Sequence, residues 1–158
     1  MSRIRRQSVE DDRGFVACAV GPATYAVGIE HVQEIVLPVR LSPLPEAPDG
    51  FIGAVDHRGE VVPILDLGLK LGFGQTTHLK RKWILVRLGG RLLGIVVAQV
   101  FEVFRVEQKA LRPAPAVGSQ HAIRTSNQVV AFDSELAYVL DTESLAQLAE
   151  LHPEPVRA

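Results

Sequence analysis

Apolar residues along this chain gather in short runs rich in Val, Ile, Leu and Ala, each closed by Gly, Pro or a charged pair. The runs are "GFVACAV" from Gly14, "TYAVGI" from Thr24, "FIGAVDH" from Phe51, "EVVPILDL" from Glu60, "KWILVRL" from Lys82 and "RLLGIVV" from Arg91. They continue with "FEVFRV" from Phe101, "QVVAF" from Gln128 and "LAYVL" from Leu136. Each has strand length, and turn signals recur at barrel-like or sandwich-like spacing with no long helical period between them, which predicts an all-β fold. Two helices are expected beside the strands. "DTESLAQLAEL" offers Asp141 or Thr142 as a cap and sets Leu145, Leu148 and Leu151 on one stripe. "EHVQEIV", Glu30 to Val36, reads as a shorter helix stopped by Pro38 and followed by the extended "RLSPLPEAPDG".

The pattern also repeats. "FVACAVGPATYAVGIEHVQEI" from Phe15 lies without gaps on "WILVRLGGRLLGIVVAQVFEV" from Trp83, matching Gly21 with Gly89, Val32 with Val100 and Glu34 with Glu102. After a shift of seven residues, "EVVPILDL" lies on "ELAYVLDT", matching Glu60 with Glu135 and Asp66 with Asp141. A duplication follows, with each half expected to form a small barrel and a groove where the two meet.

Composition narrows the class of function. A 158-residue chain that is 47% hydrophobic and 22% charged is of single-domain size and globular in character. A net charge of -1 supplies no field to gather nucleic acid or anionic lipid, so protein partners are expected and nucleic acid is not. The basic N-terminus lacks a secretory apolar run, and "LLGIVVAQVF", Leu92 to Phe101, is too short to span a bilayer, which predicts a cytoplasmic protein without membrane insertion. The single cysteine, Cys18, reads as a small buried hydrophobe.

Candidate chemistry is sparse. Histidines 31, 57, 78, 121 and 152 are scattered singly, without the spacing that puts two imidazoles on one metal. There is no serine elbow or P-loop, and "GFGQTT" after Leu71 reads as a plain loop. Asp56, Glu60 and Asp66 cluster in sequence, yet a structural role suits them better than proton transfer, with Asp66 capping "LGLKLG". Neither a metal nor a cofactor is expected, and the profile is that of a binding module. The conspicuous exception is Arg58, a lone cation ahead of Gly59 at the corner of "GAVDHRGEVVPILDL".

That corner belongs to a set of blocks, in order, that resembles the CheW family of bacterial chemotaxis coupling proteins from about Gly14 to Leu151. The blocks are "TYAVGIEHVQEI", "LSPLPEAPDGFIGAVDHRGEVVPILDL", "RLLGIVVAQVFEV", "LRPAPA" and "LAYVLDTESL". The resemblance implies two SH3-like five-stranded β-barrels packed side by side, with short helices including a C-terminal one. It divides the chain into a flexible tail (1–13), the CheW-like domain (14–151) and a short C-terminal tail (152–158). It implies a non-enzymatic adaptor, recruited to receptor arrays, that joins the cytoplasmic tips of chemoreceptors to the regulatory domain of a CheA-type histidine kinase. Carried over by position, the partner-binding residues are Val32, Glu34, Gly53, Arg58, Val100 and Val103, with a core role open beside this one for the three valines. Asp56 and His57 stand where the family usually has Asn-Leu, and Ala98 where it usually has Asp, so the resemblance leaves partner choice open at these positions. The alternatives are a CheW-like protein that has lost kinase binding and partners a receptor or regulator in a non-motility pathway, and, from another class, a small β-barrel enzyme.

Overall fold

The computed structural model describes residues 11–115 and 126–150, with side chains to residue 147. The terminal tails apart from residues 11–13, Leu151, the side chain of Leu148, and histidines 121 and 152 lie outside the described residues. The strands are β1 (Asp12–Val20), β2 (Ala23–Gly28), β3 (Val32–Val36), β4 (Phe51–His57), β5 (Glu60–Asp66), β6 (Lys82–Leu88), β7 (Arg91–Val97), β8 (Gln99–Glu107), β9 (Arg112–Pro113), β10 (Ser126–Phe132) and β11 (Glu135–Leu140). Helices α1 (Leu67–Lys70) and α2 (Thr142–Glu150) accompany them among the described residues.

One expected helix is a strand. Residues Ile29–His31 form a single 3-10 turn, and Val32–Val36 then pair antiparallel with β6, Val32 opposite Val86 and Val36 opposite Trp83. Seven residues are too few to hold a helix unaided, and β-branched Val32, Ile35 and Val36 suit the pleat of a strand that an open edge can receive.

The strands form two sheets, ordered β8-β1-β2-β11-β10-β9 and β3-β6-β7-β5-β4. The duplication is visible residue by residue in their registers. Phe15 faces Gly28 in β1–β2, as Trp83 faces Val96 in β6–β7. Phe15 faces Phe104 across β1–β8, as Trp83 faces Val36 across β6–β3. Val139 lies beside Ala26 in the parallel β11–β2 pair, as Ile64 lies beside Gly94 in β5–β7. The expectation that each half is its own barrel is nevertheless wrong. The first sheet joins β1 and β2 of the first half to β8, β10 and β11 of the second, with the two-residue β9 as an extra strand. The second sheet makes the reciprocal exchange.

Each sheet closes on its own apolar interior. In the first, Phe15, Ala26, Val130, Ala137 and Val139 are buried together, and Phe104 of β8 meets Phe132 of β10 at 4.7 Å between ring centres although those strands are far apart in the sheet order. In the second, Val62, Ile64, Trp83, Leu85, Leu92 and Val96 fill the interior. A third cluster lies between the sheets and draws on both: Val16, Cys18, Val20, Tyr25 and Val27 against Ile84, Val86, Leu88, Leu93, Ile95 and Val97, with Leu145 of α2 sealing it. Strands β1, β2, β6 and β7 are therefore covered on both faces, which is why their sequences are continuously apolar. Both helices begin at matched aspartates. Asp66, almost fully buried, accepts from the Leu69 and Thr76 amides and the Thr76 hydroxyl, while Asp141 accepts from the Glu143 amide and the Ser144 hydroxyl.

Candidate functional site

β4 and β5 are joined through Arg58 and Gly59, with His57 opposite Glu60. Both turn residues have positive φ, 54° for Arg58 and 85° for Gly59, as a tight two-residue hairpin turn requires. Glycine adopts this conformation freely, whereas in arginine it costs about 1–2 kcal/mol because Cβ crowds the carbonyl. The Asp56 carboxylate offsets part of that strain by accepting from the Gly59 amide at 2.8 Å. The matched hairpin of the first sheet turns at Asp133 and Ser134, with φ of 50° and 68°. The same backbone is thus served there by Asp, a residue that tolerates it, and the fold itself has no need of a cation at the tip.

Arg58 is anchored at one side. Its guanidinium nitrogens lie 3.1 and 3.3 Å from the two Glu34 carboxylate oxygens, while its side chain remains 73% exposed. Glu34 reaches this position because β3 is bulged between Val32 and Glu34, which puts Glu34 opposite Leu85, on the side of the sheet's interior. His57 supplies a further contact, its Nε2 lying 3.1 Å from Glu34 Oε1. Glu34 belongs to β3 and His57 to β4, opposite ends of the strand order, so this cluster lies on the seam where the second barrel closes. Nearby, Arg87 of β6 donates to both Glu60 oxygens at 3.0 and 3.3 Å, to Gln33 and to the Gly90 carbonyl. Hydrogen bonding from Arg87 holds the Glu60 carboxyl below the usual range. The tip is therefore tied to β3 and β6 from two sides, leaving the outward N–H groups of Arg58 able to donate to a planar anion or helix-end carbonyls.

The other expected partner residues divide into two groups. Val32 and Val100, equivalent under the duplication, are half-buried against the cluster between the sheets. Val103 of β8 is 60% exposed and faces Val16, so it projects beyond that same inter-sheet core. Its equivalent, Ile35, is 39% exposed and completes the pair; pairing Ile35 with Val103 through the repeat is the sequence signal that identifies it. Gly53 is buried and has a packing reason to be glycine: an added Cβ would stand 2.7 Å from the Ser42 carbonyl oxygen. At Ala98 the backbone amide donates to the Ala19 carbonyl at 2.8 Å, tying the start of β8 to β1.

The acids considered for proton transfer are otherwise engaged, Asp56 in the turn, Glu60 with Arg87 and Asp66 at its cap. Among the described residues no group of three or more His, Cys, Asp or Glu is placed to hold a metal ion. No described helix is long and apolar enough to cross a membrane. The arrangement suits contact with another protein: one charged fork on a stiff tip, and an apolar rim along β3 and β8.

Similarity to known proteins extends over most of the chain. The family model described as a CheW-like domain matches residues 14–150. Protein FrzA of Myxococcus xanthus is 30% identical over 140 residues, covering 87% of this chain and 88% of that protein. A probable chemotaxis protein CheW of Rhizobium etli is 26% identical, covering 86% of this chain and 88% of its own length. Among solved structures, the scaffolding protein TtCheW from Thermoanaerobacter tengcongensis superposes with a TM-score of 0.74 at 23% identity, covering 82% of this chain and 88% of that one.

Proposed function

Since this chain belongs to the CheW-like family, we propose that it is a non-enzymatic scaffold adaptor coupling chemoreceptors to a CheA-type histidine kinase. In this reading it works in the cytoplasm at receptor arrays. Val32, Glu34, Gly53, Arg58, Val100 and Val103 form its partner-binding set, with Gly53 contributing by shaping β4 rather than by direct contact. The observation that carries the site is the asymmetry of the two hairpin tips. A similar positive-φ turn is made by Asp133 in one barrel and by a strained, exposed arginine in the other. Strain retained where a better-tolerated residue serves elsewhere points to a demand outside the fold. The apolar rim of Ile35 and Val103 supplies desolvatable area beside the fork, and a receptor's helical tip, with apolar and carboxylate side chains, has the matching chemistry.

The test is reconstitution of kinase activation with a CheA-type kinase and a chemoreceptor cytoplasmic fragment. Arg58→Ala should lower receptor binding or kinase activation by about 10-fold, the scale of one well-placed contact to a charged group. Its melting should change by at most ~1 kcal/mol, as for a surface residue. Unimpaired coupling, or an unfolded protein, would overturn the reading of the fork. Receptor binding without any kinase complex would identify the alternative adaptor that has lost its kinase.

A further inference from the structure

We infer that His57 is a positioning residue for the Arg58 fork, keeping Glu34 paired so that the guanidinium is able to turn toward a partner. The inference rests on the reading of Arg58 as a recognition group. Glu34 Oε1 is shared, receiving Arg58 and His57 at the same distance of 3.1 Å. A carboxylate only accepts, so the imidazole nitrogen facing it carries the hydrogen. His57 is the more buried of the two donors, with a side chain 18% exposed against 73% for Arg58.

The duplication separates this role from plain packing. In the first barrel the seat equivalent to His57 is Phe132, which closes the seam by packing on Phe104. A seam of this kind therefore closes with an apolar ring. In the second barrel the same seat holds a ring with a donor, and that donor points at the one residue that anchors Arg58. The surrounding charges fit the assignment. Glu34 from β3 and Glu60 from β5 lie near His57, Glu60 is held by Arg87 of β6, and Asp56 of β4 is engaged with the Gly59 amide. Glu34 is thus the one carboxylate whose arginine must be shared with a partner. If Arg58 left it alone, a half-buried carboxylate would lose its strongest donor, and this cost would oppose binding. His57 removes that cost by continuing to donate.

The test measures binding of the full chain to the receptor cytoplasmic fragment in a double-variant cycle. His57→Phe installs the ring of the equivalent seat and removes the donor; it should melt near the parent and bind about 3- to 10-fold more weakly, the scale of one hydrogen bond. His57→Gln, which retains an N–H donor, should recover binding to within about twofold. In the Arg58→Ala background, His57→Phe should cost nothing further, since its effect runs through the fork. Should the phenylalanine variant not fold, His57→Leu serves the same cycle. Losses that multiply in the double variant, or a His57→Phe protein that binds like the parent, would overturn the inference. An Arg58→Ala protein with full binding would overturn both the fork and this inference.

Discussion

Gly53 is where packing and partner contact make opposite forecasts, and Gly53→Ala separates them. The residue sits in β4 with φ of 152° and with the Ser42 carbonyl directly over it. Ser42 and Ala54 exchange two hydrogen bonds, 2.8 Å from the Ser42 amide and 2.9 Å from the Ala54 amide. Through them the proline-bearing segment covers the edge of a strand that ends its sheet. A methyl group 2.7 Å from that oxygen and 3.0 Å from Leu41 Cβ has as its nearest contact a backbone atom, which no side-chain rotation can relieve. Ser42 must move away, and both bonds lengthen together. Two net hydrogen bonds are worth about 1–3 kcal/mol. Placing a non-glycine residue at this φ adds about 1 kcal/mol or more. The expected loss is about 3 kcal/mol, which at roughly 2–4 °C per kcal/mol for a protein of this size lowers the melting temperature by about 6–12 °C. Urea unfolding and calorimetry, run with receptor and kinase binding on the same protein, give the comparison. A stability loss below about 0.5 kcal/mol, the range of an ordinary surface change, together with lost coupling would refute the packing argument and make Gly53 a contact residue.

Cys18 is fully buried in the inter-sheet core, and burial pushes its thiol up to about 12, so native protein should resist a thiol reagent until it unfolds. Labelling within minutes under native conditions would contradict this. Glu60 tests the sign of a charge effect. The Arg87 hydrogen bonds depress its folded-state pKa, so its contribution to stability is present above the ordinary glutamate range, about pH 4, and is lost as pH falls through the lower folded value. The stability difference between the parent and Glu60→Gln should therefore shrink on acidification, and parallel stability curves down to acid pH would show that the pair contributes nothing.

How much of this was legible in the sequence follows from where each strand is covered. β6 and β7 match their apolar runs end to end, and β4 likewise, because a continuous run or an abrupt Gly-bearing corner marks them without knowledge of the neighbours. β3 was not legible. Its bulge turns Glu34 toward the barrel interior, so "VQEI" shows no clean alternation and imitates one face of a helix. The fork is readable as an anomaly, a lone arginine ahead of a glycine corner, and Glu34 is among the residues that the family resemblance carries over. His57 as a second donor was not, because its contact exists only once β3 and β4 close the seam.

The exchange of strands was also missed, although loop lengths contain it. In both sheets the third strand of a repeat type lies outside the first strand, as in β8-β1-β2 and β3-β6-β7. For β8 to take that place beside β6 of its own half, the chain leaving β7 would have to cross two strand spacings, about 10 Å. Between Val97 and Gln99 only Ala98 is available, and two successive Cα steps reach at most about 7 Å. The strand is therefore delivered to the other sheet, where the Ala98 amide meets the Ala19 carbonyl and pairing with β1 begins. With β8 committed, β6 has a free edge, and β3 of the first half fills it. The exchange in turn brings the two edge strands, distant in sequence, to the margins of one shared core. That is why Val32, Val100 and Val103, which look like unrelated core valines along the chain, all face the inter-sheet side.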